Sequence, residues 1–233
     1  MGTSAHAQMV IEDKLDLLRE GQIEIVGRLV DASNASLFAR ISRGAESINV
    51  IYKPIAGERP LWDFPSGNLA SREVATYLVS KALQLDCVPP TILRDGPFGT
   101  GSVQLWIDDC EDVGERYYQE LPGLRKIALL DAVVNNTDRK IGHLLFKDGD
   151  IFGCDHGVTF HEEYKLRTVL WQFADKNLTA QELDLLSNFN CDLSEFLTPI
   201  EIEALMARIT KLIDEAKFPL PPTDWPAIPW PPY

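Results

Sequence analysis

Asn135-Asn136-Thr137-Asp138-Arg139-Lys140-Ile141-Gly142-His143 is followed, after a short apolar passage, by Cys154-Asp155-His156-Gly157. Both stretches are polar and flanked by apolar runs. Leu129-Leu130-Asp131-Ala132-Val133-Val134 precedes the first, Leu144-Leu145-Phe146 follows it, and Ile151-Phe152 leads into the second. An Asp, a potential metal ligand five residues on, then a strand and an Asp-x-Gly is a layout that holds a nucleophile and a divalent ion beside a phosphoryl donor. Such chemistry also needs a cation for the phosphates and an acid to anchor that cation, and both are sought upstream.

Working outward, the N-terminal third reads as a β-meander. Val10 to Gly21 carries Leu15, Leu17 and Leu18 among charges, as a short amphipathic helix or turn does. Gln22 to Val30 alternates, Ser36 to Ile41 continues the pattern, and Ser47 to Tyr52 is a third strand ending in Lys53-Pro54. Asp31 to Ser36 is turn chemistry, and Ile55 to Asn68 is a loop rich in Gly and Pro. Leu69 to Leu85 spaces Val74, Tyr77, Leu78, Ala82 and Leu85 as a helix does. After Pro89-Pro90 a hairpin is expected, with strands Thr91–Leu93 and Ser102–Ile107 joined by a turn over Arg94–Gly101.

The remainder is mainly helical. Gly123 to Val134 is a strong helix, a short hairpin surrounds Lys147-Asp148-Gly149-Asp150, and Thr179–Ser187 and Thr198–Ala216 are further helices. The last opens with the capping box Thr198-Pro199-Ile200-Glu201. The expected fold class is therefore α+β. Residues 10–107 form a small β-rich N-lobe joined near Ile107-Asp108-Asp109 to a mainly helical C-lobe over 108–217, the order of the bilobal protein-kinase-like fold. Residues 1–9 read as a flexible leader, and 218–233 as an extended tail dominated by Pro and Trp. The tail is expected to pack Trp225 and Trp230 over its own surface rather than to recruit a partner.

The 233-residue chain carries a net charge of −13. That balance argues against nucleic acid and against a basic patch held on anionic lipid, but not against ATP, whose phosphates need only local cations and metal. No apolar run is long enough for a membrane span. Cys87, Cys110, Cys154 and Cys191 lie far apart without a C-x-x-C pair, as buried thiols of a reduced cytoplasmic protein do.

Lys53 is the candidate cation for the ATP phosphates, although a lysine after a strand is, taken alone, more often a surface residue. Glu73, in the first turn of the next helix, is its candidate anchor; favourable interaction with the helix dipole is the plainer explanation. Asp138 can orient the acceptor hydroxyl or take its proton, Lys140 can reach the transferred phosphate, and His143 and Asp155 can hold one or two metal ions. Plainer readings make Asp138 a helix-loop cap and His156-Gly157 an ordinary tight turn. Ser33, Asn34 and Ser36 sit at the first hairpin tip as a phosphate cradle, and adenine is expected against Leu105, Trp106 and Ile107. Neither glycine-rich phosphate motif is present.

These residues resemble the bacterial proteins related to phosphatidylinositol 3- and 4-kinases, a branch of the atypical protein-kinase-like fold. The resemblance is carried by Tyr52-Lys53-Pro54, Arg72-Glu73, Asn136 to His143, Asp155-His156-Gly157, and Phe160-His161 with Lys165 to Trp171, and runs from about Gly27 to Trp171. It implies Lys53 as the ATP lysine, Asp138 as the catalytic residue and Asp155 as a metal ligand. Three positions depart from the lipid kinases: Lys140 stands where they have His, His143 where they have the metal-binding Asn, and His156 where they have Phe. Imidazole favours manganese or other transition ions over magnesium. The acidic chain lacks a basic membrane-facing segment, so phosphoinositide is not carried over as its substrate.

The leading expectation is an ATP- and Mg2+- or Mn2+-dependent kinase acting on a protein or small soluble hydroxyl. A nucleotide-binding pseudokinase, or transfer of AMP on the same fold, is the alternative. A metal-dependent hydrolase built on Asp138, His143, Asp155, His156 and His161 lacks a defined ligand spacing and leaves Lys53 and Glu73 without a role.

Overall fold

Residues 14–29, 36–59, 61, 64 and 68–233 are described by the computed structural model. The chain divides into two units, Met1–Val74 with Pro89–Asp108, and Ala75–Val88 with Asp109–Tyr233. The architecture is α+β, with a sheet early in the chain and helices later.

Period-two alternation builds the first unit. Gln22–Arg28 (β1), Leu37–Arg43 (β2), Glu46–Pro54 (β3), Thr91–Gly96 (β4) and Gly99–Leu105 (β5) form an antiparallel sheet in the order β1-β2-β3-β5-β4. Ala39, Ile41, Val50, Tyr52 and Val103 close a core with Leu17 and Leu18 of a helix over 14–20 (α1). Because neighbouring residues of a strand face opposite ways, burying Tyr52 in this core turns Lys53 to the other face.

The β4–β5 hairpin is tighter than the sequence suggests. Gly96 and Gly101 read as turn residues, yet both lie within strands and only Pro97-Phe98 remains as the turn. The reason is Tyr52, whose ring packs against the hairpin backbone. A Cβ on Gly96 or on Gly101 would come within 2.8 Å of that ring. The phenol donates to the Gly99 carbonyl at 2.5 Å and accepts the Phe98 N–H at 3.3 Å, which satisfies its polar end.

The second unit takes in the later residues of helix Leu69–Ala82 (α2). That helix ends before the expected Leu85, and Gln84 and Asp86 adopt left-handed backbone with φ of 52° and 49°. Pro122–Val134 (α3) starts with its proline in the first turn and is buried from Ile127 to Val134, Asp131 included. It packs against Asp150–Gly153 (β8) and Pro199–Glu215 (α5). A helix apolar on nearly every side belongs at the centre of its unit, and α3 sits there. Glu111–Asp112 (β6) and Leu144–Lys147 (β7) complete a three-stranded sheet with β8 in the order β6-β7-β8. The short acidic β6 carries no strand signal in its sequence. Ala180–Ser187 (α4) and α5 each open with a capping box, through Thr179 with Glu182 and Thr198 with Glu201.

Two expectations change here. Cys87 is buried, but Cys110, Cys154 and Cys191 are partly exposed thiols. In the tail Trp225 packs, while Trp230 is 89% exposed. The tail, expected to be extended, bends at 223–225, 227–228 and 230–231; Pro229 is buried and the Pro232 carbonyl is hydrogen-bonded, while the Trp230 side chain is left outward. No helix among the described residues is long and apolar enough to cross a membrane.

Candidate active site

In the first unit, Lys53 Nζ donates to Glu73 Oε1 at 2.5 Å, with side chains 21% and 4% exposed respectively. Glu73 lies beyond the first turn of α2, so the helix dipole does not account for it. A carboxylate this deeply buried needs a charged partner, and the β3 lysine supplies it. Ser36 is buried, and its carbonyl accepts the Leu29 N–H at 3.0 Å. Ser33 and Asn34 lie outside the described residues. Along the adenine stretch, the Leu105 and Trp106 N–H groups already bond the Pro90 and Asn49 carbonyls, each at 2.9 Å. These two donors are therefore committed within the fold.

The second unit gathers the remaining candidates. Helix α3 ends at Asn135 in left-handed backbone, φ 54°, and the Asn135 amide donates to the His161 and Glu163 carbonyls. Asn135 therefore takes the cap position, and Asp138 is free of that duty. The chain then turns so that the Asn136 carboxamide oxygen accepts the Asp138 N–H at 3.0 Å. Lys140 Nζ stands 3.4 Å from Asp138 Oδ2. Burial pushes the Asp138 carboxyl above the usual carboxylate range; Lys140 opposes the shift and Asp155 reinforces it. Asp155 adopts left-handed backbone, φ 56°, and its Oδ2 lies 3.5 Å from His143 Nε2.

What aligns the two motifs is a residue that sequence reasoning passed over. Arg139 and Asp131 are both 0% exposed and paired at 2.9 Å through Nη2, with a second contact from Nε at 3.0 Å. Asn136 Nδ2 also donates to Asp131, at 2.9 Å. Arg139 Nη1 donates to the Cys154 carbonyl at 2.9 Å, and Nη2 also meets His156 Nε2 at 2.6 Å. One buried cation thus joins α3, the Asp138 loop and the segment holding Asp155. Its signal was present: Asp131 interrupts an otherwise apolar helix. His156 is accordingly a buried partner of Arg139 rather than part of an ordinary tight turn.

A divalent ion can be tested against these side chains. No group of three or more His, Cys, Asp or Glu residues that could hold a metal occurs among the described residues. Asp155 is about half exposed and faces His143, a two-ligand set with Asp138 as a charged neighbour. Two such ligands would suit a magnesium or manganese ion that takes its other ligands from outside the chain, and do not make an all-protein site. The Lys140 N–H lies 3.5 Å from His143 Nδ1, a long contact.

No family model matches the chain. It is 36% identical over an alignment of 279 positions to Protein Rv2133c of Mycobacterium tuberculosis, covering 99% of both chains. The chain belongs to the family of that protein. A shorter alignment of 130 positions, covering 46% of this chain, is 32% identical to phosphatidylinositol 4-kinase gamma 4 of Oryza sativa, over 23% of that protein. Among solved structures, the Helicobacter pylori proinflammatory kinase CtkA aligns at a TM-score of 0.48 and 13% identity, over 85% of this chain and 95% of its own.

Proposed function

We propose that the protein is a cytoplasmic ATP- and metal-dependent phosphotransferase, related to phosphatidylinositol 3- and 4-kinases, that acts on a protein or soluble hydroxyl. The observation that carries this reading is the Lys53–Glu73 pair at 2.5 Å, whose carboxylate is buried. A strand lysine anchored by a helix glutamate is what phosphoryl transfer requires for the β- and α-phosphates, and a hydrolase would leave both without a role. The local similarity to a plant phosphatidylinositol 4-kinase supports the same reading. The net charge of −13 favours a soluble acceptor over a lipid surface.

In this reading Asp138 orients the acceptor hydroxyl and receives its proton, a role that its raised pKa suits. Lys140 stabilises charge on the transferred group. Asp155, with His143, would hold a divalent ion, which when bound neutralises charge on the phosphates. Ile107 is proposed to read the adenine edge, and Ser36, with Ser33 and Asn34, to line the phosphates.

The deciding experiment is incubation with γ-labelled ATP and magnesium or manganese beside Asp155→Ala, read by label transfer, ATP turnover and intact mass. Turnover lost in the variant supports the reading, whereas ATP binding without turnover makes the protein a pseudokinase. A mass gain of AMP assigns nucleotide transfer instead. For Lys53→Met, nucleotide-dependent thermal stabilisation should vanish while the fold persists; stabilisation equal to wild type would remove Lys53 from the site. His143→Asn is expected to move metal preference from manganese toward magnesium. An unchanged metal profile would restrict His143 to orienting Asp155.

A further inference from the structure

The Pro- and Trp-rich tail has no part in the chemistry above, yet it is tied to the backbone that carries Asp138. The Ala227 carbonyl accepts both the Thr168 N–H at 3.0 Å and the Trp171 indole N–H at 2.8 Å. The Pro232 carbonyl accepts the Ile141 N–H at 2.9 Å. The Trp225 ring lies 5.2 Å from the Arg167 guanidinium and 5.6 Å from Lys165 Nζ.

Arg167 connects this contact to the catalytic loop. Its Nε donates to the Thr137 carbonyl at 2.8 Å, and its own carbonyl accepts the Arg139 N–H at 3.1 Å. Thr137 and Arg139 are the two neighbours of Asp138, so one residue grips the backbone on both sides of it. A guanidinium over an indole face is attracted by the ring quadrupole, and the ring keeps it from swinging toward water. The Trp225 indole nitrogen is buried without a hydrogen-bond partner among the described residues, while its ring faces the Arg167 guanidinium.

We infer that Trp225 is a positioning residue, which by stacking on Arg167 holds the Asn136–Lys140 loop and thereby aims the Asp138 carboxylate. Its effect on rate rests on the phosphotransferase reading, while its effect on the loop does not. A proline-stiffened segment suits the task, because little conformational freedom remains to be lost when it docks.

The test uses the full chain with Trp225→Ala and Trp225→Phe, followed by amide exchange across residues 135–141 and by steady-state ATP turnover. In Trp225→Ala the loop should exchange about tenfold faster than in wild type while α3 stays protected. Its kcat should fall about 10- to 100-fold, with KM for ATP moved by no more than about twofold. Trp225→Phe retains an aromatic face and should restore most of both properties. Unchanged loop exchange in Trp225→Ala would overturn the inference, as would exchange rising evenly through the second unit, or equal impairment of both variants. If wild type turns over no ATP, the phosphotransferase reading fails and the exchange experiment alone decides the role of Trp225. Should Trp225→Ala not fold, Arg167→Gln is expected to loosen the same loop, and a loop as protected as in wild type would overturn the role of the stack.

Discussion

Asp131→Ala is expected to remove about 3–5 kcal/mol of stability, the cost of stranding a buried charge. Arg139 has no exposed surface, and its Nε and Nη2 both point at the Asp131 carboxylate. Without that carboxylate the guanidinium keeps its charge inside the protein, and Asn136 and Thr168 lose an acceptor as well. Urea unfolding with an unchanged m-value measures the effect. A loss below about 1 kcal/mol, the usual range of an exposed pair, would mean that water reaches Arg139 and that the ion pair is not a structural centre. The same variant should lose transfer activity, since Arg139 also carries the Cys154 carbonyl and His156 beside Asp155.

Asp138→Asn should reduce kcat by about 10²–10⁴-fold, the range of a lost general base, while leaving ATP binding intact. The same change should raise stability at neutral pH. The folded-state pKa of Asp138 lies above its ordinary value, chiefly through burial. Between the unfolded and folded pKa values the native state therefore binds more protons, so stability falls as pH rises through that window. At neutral pH the charged carboxylate is a net cost to the fold, and an uncharged amide removes it. Thermal unfolding of the two proteins should show the Asn variant melting higher at pH 7, with the gap closing as pH falls through the carboxylate range. An Asn variant that melts lower at every pH would mean that the Asp138 charge supports the fold, and undamaged transfer would move the proton-accepting role to Lys140 or His143.

The first effect strands Arg139 and the second neutralises Asp138, neighbours on one loop, and they show how differently its residues announce themselves. Asp138, Lys140, His143 and Asp155 stand out in the sequence because polar groups crowd between apolar runs, and folding brings each near its neighbour: Lys140 beside Asp138, His143 beside Asp155. Lys53 and Glu73 were legible as a cation and its candidate anchor, and the fold brings the two side chains to 2.5 Å. Arg139 was passed over because an Arg inside a polar run looks solvated. Only the fold shows that it points inward, toward an Asp that itself looked like an oddity of an apolar helix.

The sequence by itself determined the strands of the meander, through period-two alternation, and helices α3 to α5, through period-3.6 spacing and cap residues. These are local signals, set by the backbone geometry of a few adjacent residues. The tertiary structure decided the rest. Tyr52 packing against the hairpin backbone turned apparent loop glycines into strand, and hydrogen bonds within the sheet occupied the donors of Leu105 and Trp106. The tail was likewise assigned by contact, with Trp225 against Arg167 and Trp230 left in solvent. Burial of a charge, commitment of a backbone donor and choice of a stacking partner all depend on residues distant in the chain, and no local pattern encodes them.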